Sequence, residues 1–347
     1  MEKRRMVVLT EGRLGTFTSK TAASLIRYKP DEVVAVLDST HAGKKLEDIL
    51  EIGHGIPIVA TLQETLAFDP TSLVIGIATP GGVLPEAWRA VICEAIQNRL
   101  EIVNGLHTFL TEDAEFVSLA KTHGARLWDV RQPPAHLDVG RHQVHKLPNL
   151  RVLTVGADSS IGKMLAAIEI TRAARRAGWD SEFVATGQTG IMIEGSGIAI
   201  DTVVSDFISG AVEQLIMERK HREMLVVEGQ GTIIHPSYSG VSLGLLHGAA
   251  PQALVLCHQP GRDFLRNLPV KIPSYNDLIH VHETIARALF PCEVVAVSLN
   301  CAGMTKEEAR RAVDAAHRET GLPATDCVKF GCDVILEALR SFRPNNR

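Results

Sequence analysis

The sequence predicts an α/β protein built from two parallel-sheet domains in series. Three observations lead there. At 347 residues the chain is about two domains long, at roughly 150 residues each. Its apolar runs are short, rich in Val, Ile and Leu, and not strictly alternating, which marks strands covered on both faces. Longer amphipathic stretches separate these runs, and strand–helix alternation is the pattern of a doubly wound sheet.

In the first domain the expected strands are Val7–Leu9, Val33–Leu37, Ile56–Val59, Leu73–Ala78, Glu101–Val103 and Ala125–Trp128. Helices are expected over 84–98, where Pro85 opens the first turn at little cost, and over 111–123, where Gly124 follows as a C-cap. Between 133 and 149, Pro133, Pro134 and Pro148 stand among His136, His142 and His145, and no period survives. This stretch predicts a boundary: one domain over 1–132, a linker over 133–149 and a second domain over 150–347. The pattern then restarts. Strands are expected over 150–155, 181–185, 224–228, 253–257 and 294–299, with helices over 162–177, 202–220 and 305–320.

Composition narrows the function. Hydrophobic residues make up 45% and charged residues 22%, the balance of an ordinary globular protein with sizeable cores. The net charge of -4, from 36 basic and 40 acidic residues, excludes a globally basic nucleic-acid binder. The six cysteines form no C-x-x-C pair, which argues against a zinc ribbon or redox dithiol. The fourteen histidines include no H-x3-H or H-E-x-x-H pair, so no metal site is expected. The basic start Met1–Arg5 precedes an apolar run, Met6–Leu9, too short for a signal peptide. No apolar run reaches membrane-spanning length. These features predict a cytoplasmic protein with reduced thiols, without membrane or nucleic-acid partners. The polar end, 343–347, is expected to fray.

The most informative segment runs from Arg151–Val155 through Gly156-Ala157-Asp158-Ser159-Ser160-Ile161-Gly162-Lys163-Met164 into a helical stretch. Strand, glycine loop and helix follow in the order a phosphate-binding loop requires. Gly156 and Gly162 let backbone N–H groups turn toward one anion, and the helix adds its positive end. Lys163 adds a full charge as a movable donor. The spacing is G-x5-G-K, one residue longer than the common Walker loop, and Met164 stands where a Ser or Thr normally ligates Mg²⁺. A thioether is a poor ligand for that cation. A glycine turn with a surface lysine is the bland alternative.

A second segment, Leu225 to Gly240, delivers Glu228 to a strand end, the ligand crevice of open α/β sheets. Gly229 and Gly231 permit close backbone approach. Glu228 is a candidate base, metal ligand or amine partner, and His235, Ser237 and Tyr238 add acid–base and hydrogen-bonding groups. Gln230 lies beside them. A third segment, Ala185-Thr186-Gly187-Gln188-Thr189-Gly190, also follows a strand and offers hydroxyls and amides for a carboxylate or phosphate. In the first domain, Thr79–Gly82 and Asn104–Thr108 end strands. The loop Thr10–Gly15 carries G-x-x-G, not the G-x-G-x-x-G of nicotinamide sites. Arg131 can clamp a carboxylate bidentately or pair structurally with Asp129.

The loop Gly156–Lys163, with Glu228-Gly229 on a later strand, resembles dethiobiotin synthetase and its P-loop relatives. Those enzymes carry G-x5-G-K-T and an acidic-Gly pair at a strand end, and Met164 departs from that Thr. A nearly full-length similarity is to a two-domain family, once of unknown function, that includes bacterial D-glutamate N-acetyltransferases. It is carried by Gly105–Leu110, Asp129–Pro134, Gly156–Met164, Glu228–Leu246 and Val297–Cys301. This resemblance implies a Rossmann-like N-terminal domain and a P-loop C-terminal domain. It also implies an acetyl-CoA-dependent N-acetyltransferase for an acidic amino acid, with D-glutamate as the expected acceptor. Gly156, Asp158, Ser159, Ser160, Ile161, Gly162, Lys163 and Met164 are then expected to grip the coenzyme phosphates. Glu228 or His235 is expected as base, and Arg131, Thr186, Gln188, Thr189, Gln230 and Tyr238 as substrate contacts. A homo-oligomer paired across the crevice is expected by analogy with P-loop relatives. An ATP–Mg²⁺ ligase or kinase, with Asp158 or Glu228 on the metal, is the alternative, as is a nucleotide-binding protein without turnover.

Overall fold

The protein, described here by a computed structural model, is defined over residues 4–15 and 18–343. Met1–Lys3 of the basic start and residues 344–347 of the polar end lie outside the described residues. Two compact units divide the chain: Met1–Gln132 with Ile191–Ser196, and Pro133–Gly190 with Gly197–Arg347.

The first unit is a Rossmann-like α/β layer. Its strands are β1 (Met6–Leu9), β2 (Val33–Leu37), β3 (Ile58–Val59), β4 (Ser72–Ile75), β5 (Glu101–Asn104) and β6 (Leu127–Asp129). They form one parallel sheet in the order β3-β2-β1-β4-β5-β6, the doubly wound order. Val8 of the central strand pairs with Val36 on one side and Val74 on the other. Every residue of β1 is buried, which is why its apolar run carries no alternation. The helices are α1 (Lys20–Tyr28), α2 (Glu47–Leu50), α3 (Leu62–Thr65), α4 (Arg89–Gln97) and α5 (Ala114–His123). Ile92 and Ile96 of α4 and Phe116 of α5 close the core against Leu73, Ile75 and Ile102.

Two helix starts fall later than the sequence predicts. Pro85 adopts extended φ/ψ, and Glu86–Trp88 makes a 3₁₀ turn before α4 begins at Arg89. Asp113 accepts from the amides of Glu115 and Phe116 and so becomes the N-cap of α5, which leaves Leu110–Glu112 as a 3₁₀ turn. Gly124 ends α5 as expected, with φ of 73°.

The second unit is the P-loop domain. Its parallel sheet contains β7 (Leu150–Gly156), β8 (Ser181–Val184), β9 (Met224–Val227), β10 (Ala253–His258), β11 (Glu293–Leu299) and β12 (Ala324–Thr325), in the order β12-β11-β10-β7-β9-β8. From β7 the chain goes out to the edge strand β8, returns to β9 between them, then crosses to β10 on the other side of β7. The switch point lies between β7 and β10, where such sheets open a ligand crevice. The helices in this part of the chain are α6 (Lys163–Arg176), α7 (Gln188–Glu194), which from Ile191 onward is counted with the first unit, α8 (Ile208–Glu218), α9 (Ser239–Ala249), α10 (Tyr275–Arg287), α11 (Lys306–Thr320) and α12 (Asp333–Leu339). The expected helix over 202–220 is shorter, since 3₁₀ turns at Ile200–Thr202 and Ser205–Phe207 precede α8. Among the described residues no helix is long and apolar enough to cross a membrane.

The proline-rich stretch after residue 132 docks onto α8. The buried Glu213 carboxylate accepts from the amides of Arg141 (2.7 Å), Gln143 and Val144 (3.3 Å). Gly210, one helical turn away, leaves no room for a side chain: a Cβ there would stand 1.8 Å from the Asp138 carbonyl oxygen.

That contact sets a prediction. Gly210→Ala must push a main-chain segment away and is expected to cost about 2 kcal/mol or more. Gly240→Ala, in α9 with open space around it, is expected to stay within about 0.5 kcal/mol of wild type or to stabilise. Urea unfolding of both variants checks the contrast.

Candidate active site

The site grows from the end of β7. Gly156 closes the strand, and Ala157 donates to the Cys257 carbonyl on β10 (3.1 Å), so the loop starts at the switch point. Ser160 sits at φ of 57° and Gly162 at 103°, the left-handed conformations that turn successive amides toward one side. Lys163 then opens α6. None of the amides of Ser160, Ile161, Gly162 and Lys163 is hydrogen-bonded among the described residues. These amides and the helix dipole make an anion cradle.

The Lys163 side chain is 5% exposed. Its stem passes through a slot between two glycines: a Cβ on Gly156 or Gly229 would stand 3.3 or 3.0 Å from its Cδ. A Cβ on Gly229 would also lie 1.6 Å from the Thr154 carbonyl oxygen, so that position admits only glycine. The ammonium donates to the Asp158 carbonyl oxygen (2.6 Å), leaving two of its three donors without a bond among the described residues. Burial pushes it down to about 8. The Ser159 hydroxyl, in the same loop, is buried and unpartnered. The donors present fit a phosphate group.

The loops after β8 and β9 are laced together around Glu228, 4% exposed. Its Oε2 accepts from the amides of Thr186 and Gly187 (both 3.0 Å). The Thr186 hydroxyl donates to the Glu228 carbonyl (2.7 Å) and accepts from Gln230 Nε2 (3.1 Å). Burial outweighs these bonds and pushes the Glu228 carboxyl up to about 7, with Asp201 adding to the rise. Side chains at Gly187 and Gly190 would collide with this carboxylate, the Cβ positions lying 3.1 and 2.4 Å from its oxygens.

The remaining sequence-predicted residues fall in three places. Asp158 is buried and faces the segment after β10. Its Oδ2 accepts from Arg262 Nη1 (3.1 Å) and the Arg266 amide (2.9 Å), and its Oδ1 from Ser159 N (2.7 Å). His235, 3% exposed, has both ring nitrogens engaged: Nε2 donates to the Arg266 carbonyl (3.0 Å) and Nδ1 accepts from Ser237 N (3.1 Å). Tyr238 packs on its ring at 4.5 Å. Gln188 and Thr189 are half-buried at the start of α7, and Met164 is half-buried in the first turn of α6. Arg131 belongs to the Rossmann-like unit, where it is buried and donates from Nε to the Gly105 carbonyl (2.7 Å). Asp129 accepts there from Asn104, Leu110 and Thr111.

Sequence reasoning missed the segment 259–274. From Asp263 to Ile272 it folds as a hairpin, with Leu265 N donating to the Val270 carbonyl (2.9 Å) and Ile272 N to the Asp263 carbonyl (2.9 Å). Arg262 also donates to the Ser159 carbonyl (2.8 Å), and Arg266 Nη1 to the Ser160 hydroxyl (2.9 Å). The hairpin thus braces the outer wall of the loop. Its sequence sets two arginines among short apolar runs and prolines after a strand, with no sustained alternation.

Comparisons with known proteins agree with this geometry. Residues 138–336 match the DUF1611 domain of unknown function, described as a P-loop domain, and residues 39–133 match its N-terminal companion, described as Rossmann-like. A curated D-glutamate N-acetyltransferase from a Pseudoalteromonas species is 40% identical over 80% of this chain and 84% of its own. Another from Tritonibacter scottomollicae is 34% identical over 92% of this chain and 94% of its own. A crystal structure of a DUF1611 family protein from Anabaena variabilis superposes with a TM-score of 0.93 at 41% identity, covering 97% of this chain and 99% of that one.

The two buried charges at the site predict opposite pH effects on stability. Between about 4.5 and 7 the native state keeps the Glu228 proton that the unfolded chain has lost, so this group destabilises the fold as pH rises. From about 8 to 10.5 the unfolded chain holds the Lys163 proton that the native state has released, so that group's contribution rises with pH. The melting temperature of Glu228→Gln minus that of wild type is therefore expected to increase from pH 5 to pH 8. Scanning calorimetry across that range checks it, and a flat difference contradicts the raised carboxyl.

Proposed function

The chain belongs to the DUF1611 family, and from that premise we propose that it is an N-acetyltransferase. On this reading it moves an acetyl group from acetyl-CoA to the amine of an acidic amino acid, D-glutamate. One observation carries the reading: the P-loop offers unbonded amides and a buried ammonium but sets Met164 where a magnesium ligand is needed. The names of the two enzyme relatives support the acetyl transfer and the acceptor.

Acetyl-CoA supplies an activated acyl group, and its transfer to an amine requires no phosphoryl chemistry. The amides of Ser160–Lys163 and the Lys163 ammonium hold coenzyme phosphate, the ammonium exchanging the Asp158 carbonyl for a phosphoryl oxygen. Glu228, with a proton affinity matched to neutral pH, accepts the proton released as the amine nitrogen forms its bond to the acetyl carbon and the carbon–sulfur bond breaks. Thr186 and Gly187 fix the direction of that carboxylate. Glu228 suits this role better than His235, whose Nε2 is bonded to the Arg266 carbonyl and whose Nδ1 accepts from the Ser237 amide. Asp158 is held by Arg262 and the Arg266 amide, an arrangement that disfavours an ATP–Mg²⁺ reading in which it binds the metal.

The test is thiol release from acetyl-CoA with a panel of D- and L-amino acids. D-Glutamate is expected to drive release. Lys163→Ala is expected to raise the KM for acetyl-CoA at least about tenfold, one lost charge-assisted contact. Glu228→Gln is expected to lower kcat about 100-fold or more with that KM little changed. Stabilisation by ATP–Mg²⁺ without thiol release toward any amino acid contradicts the assignment.

A further inference from the structure

Beside the P-loop lies a cavity of about 500 Å³ at the end of β10, the strand across the switch point from β7. Neither the loop motif nor the acyl-transfer assignment uses it. Arg262 links the two places: its guanidinium is bonded to Asp158 and the Ser159 carbonyl, and the same residue lines the cavity. Arg262 is therefore a wall shared by the loop and the cavity.

The walls have a distinct chemistry. Leu278 and the rings of Phe264 and Tyr275 supply an apolar slot, and Phe264 is 49% exposed. At the end of β10, His258 meets Tyr275 edge-on at 5.4 Å. Its Nδ1 is buried with no hydrogen-bond partner, a state that native proteins seldom leave unused. Burial pushes this imidazole down to about 4, so it is neutral at physiological pH and keeps a ring nitrogen for a polar partner. Lys271 stands on the far strand of the hairpin, exposed, and makes no ion pair among the described residues. Two carboxylates also line the cavity: Asp263 at the start of the hairpin, and Glu319 on α11, which accepts from the Tyr275 amide (2.8 Å).

We propose that this cavity receives the 3′-phosphoadenosine end of coenzyme A, with the purine between Phe264 and Tyr275, His258 on its edge and Lys271 on the 3′-phosphate. Aromatic faces stack bases without regard to sequence context, and a lone ammonium at a rim is a point charge for a phosphate. The volume is within the range of pockets that enclose ligands of this size. The assignment rests on the coenzyme A reading of the P-loop and gives that reading its specificity. ATP and ADP share the pyrophosphate but have no 3′-phosphate, so the cavity is where the chain tells the coenzyme from an adenine nucleotide.

Calorimetric titration of the full chain with coenzyme A and with 3′-dephospho-coenzyme A tests it. Wild type is expected to bind coenzyme A at least about tenfold more tightly, one charge-assisted phosphate contact. Lys271→Ala is expected to fold with an unchanged melting temperature, to bind coenzyme A as weakly as the dephospho form, and to leave the dephospho affinity where it was. His258→Phe is expected to weaken both ligands by a similar factor. If wild type binds the two coenzymes alike, or Lys271→Ala weakens both equally or neither, the cavity assignment is overturned while the coenzyme reading stands. If neither ligand binds wild type, the coenzyme reading itself falls and takes this one with it.

Discussion

A buried ammonium held by a single main-chain carbonyl is the constraint around which the P-loop domain is arranged. Charge in a low-dielectric interior is costly unless it is matched. The same strand shows what full matching looks like. At the opposite end of β7, Arg151 is just as buried, but its guanidinium reaches the carbonyls of Ala249, Ala250 and Asn149 and the Asn149 side chain. That is a structural cation. Lys163 has one bond, to Asp158 of its own loop, beside unbonded amides and an orphaned Ser159 hydroxyl. An anion that completes this set relieves several deficits at once, and binding energy follows from that relief.

The surrounding sequence makes sense as support for this arrangement. Gly156 and Gly229 form the slot for the lysine stem, and the Thr154 hydroxyl accepts from the Gly229 amide (2.9 Å), fixing the second wall. Arg262 and Arg266 brace the loop from outside through Asp158. Glu228 adds a second buried charge on the other flank, one that burial drives toward the neutral form as it does Lys163. Glu228 lies close enough for its charge to raise the proton affinity of Lys163. A carboxyl near neutrality next to an anion cradle is a combination suited to acyl transfer, where a proton must leave an amine while a charged coenzyme stays put.

Much of this was legible in the residues, and the rest was hidden for physical reasons. Continuous apolar runs such as Val33–Leu37 and Met224–Val227 located the buried strands because parallel sheets are covered on both faces. The glycine spacing at 156 and 162, followed by Lys163, located the cradle because few other backbones need it. α9 was not read, since Ser239–Ala249 is largely apolar on every side and carries three glycines, leaving no amphipathic period. The hairpin from Asp263 to Ile272 was invisible because its partners are distant in sequence: Asp158, Ser160 and His235 hold it only once the sheet has formed. His235 looked like a base on chemistry alone. Its Nε2 turns out to be committed to the Arg266 carbonyl of that hairpin, a contact that no local pattern encodes, and its Nδ1 to the Ser237 amide. His258 drew no notice as the last residue of a strand, although the cavity opens onto it.

The measurement that bears most directly on the account is the structure of the protein soaked with acetyl-CoA. The account predicts phosphoryl oxygens within hydrogen-bond reach of the amides of Ser160 to Lys163, with the Lys163 ammonium moved off the Asp158 carbonyl and onto the ligand. A coenzyme bound elsewhere, with Lys163 still closed on its own loop, would contradict it.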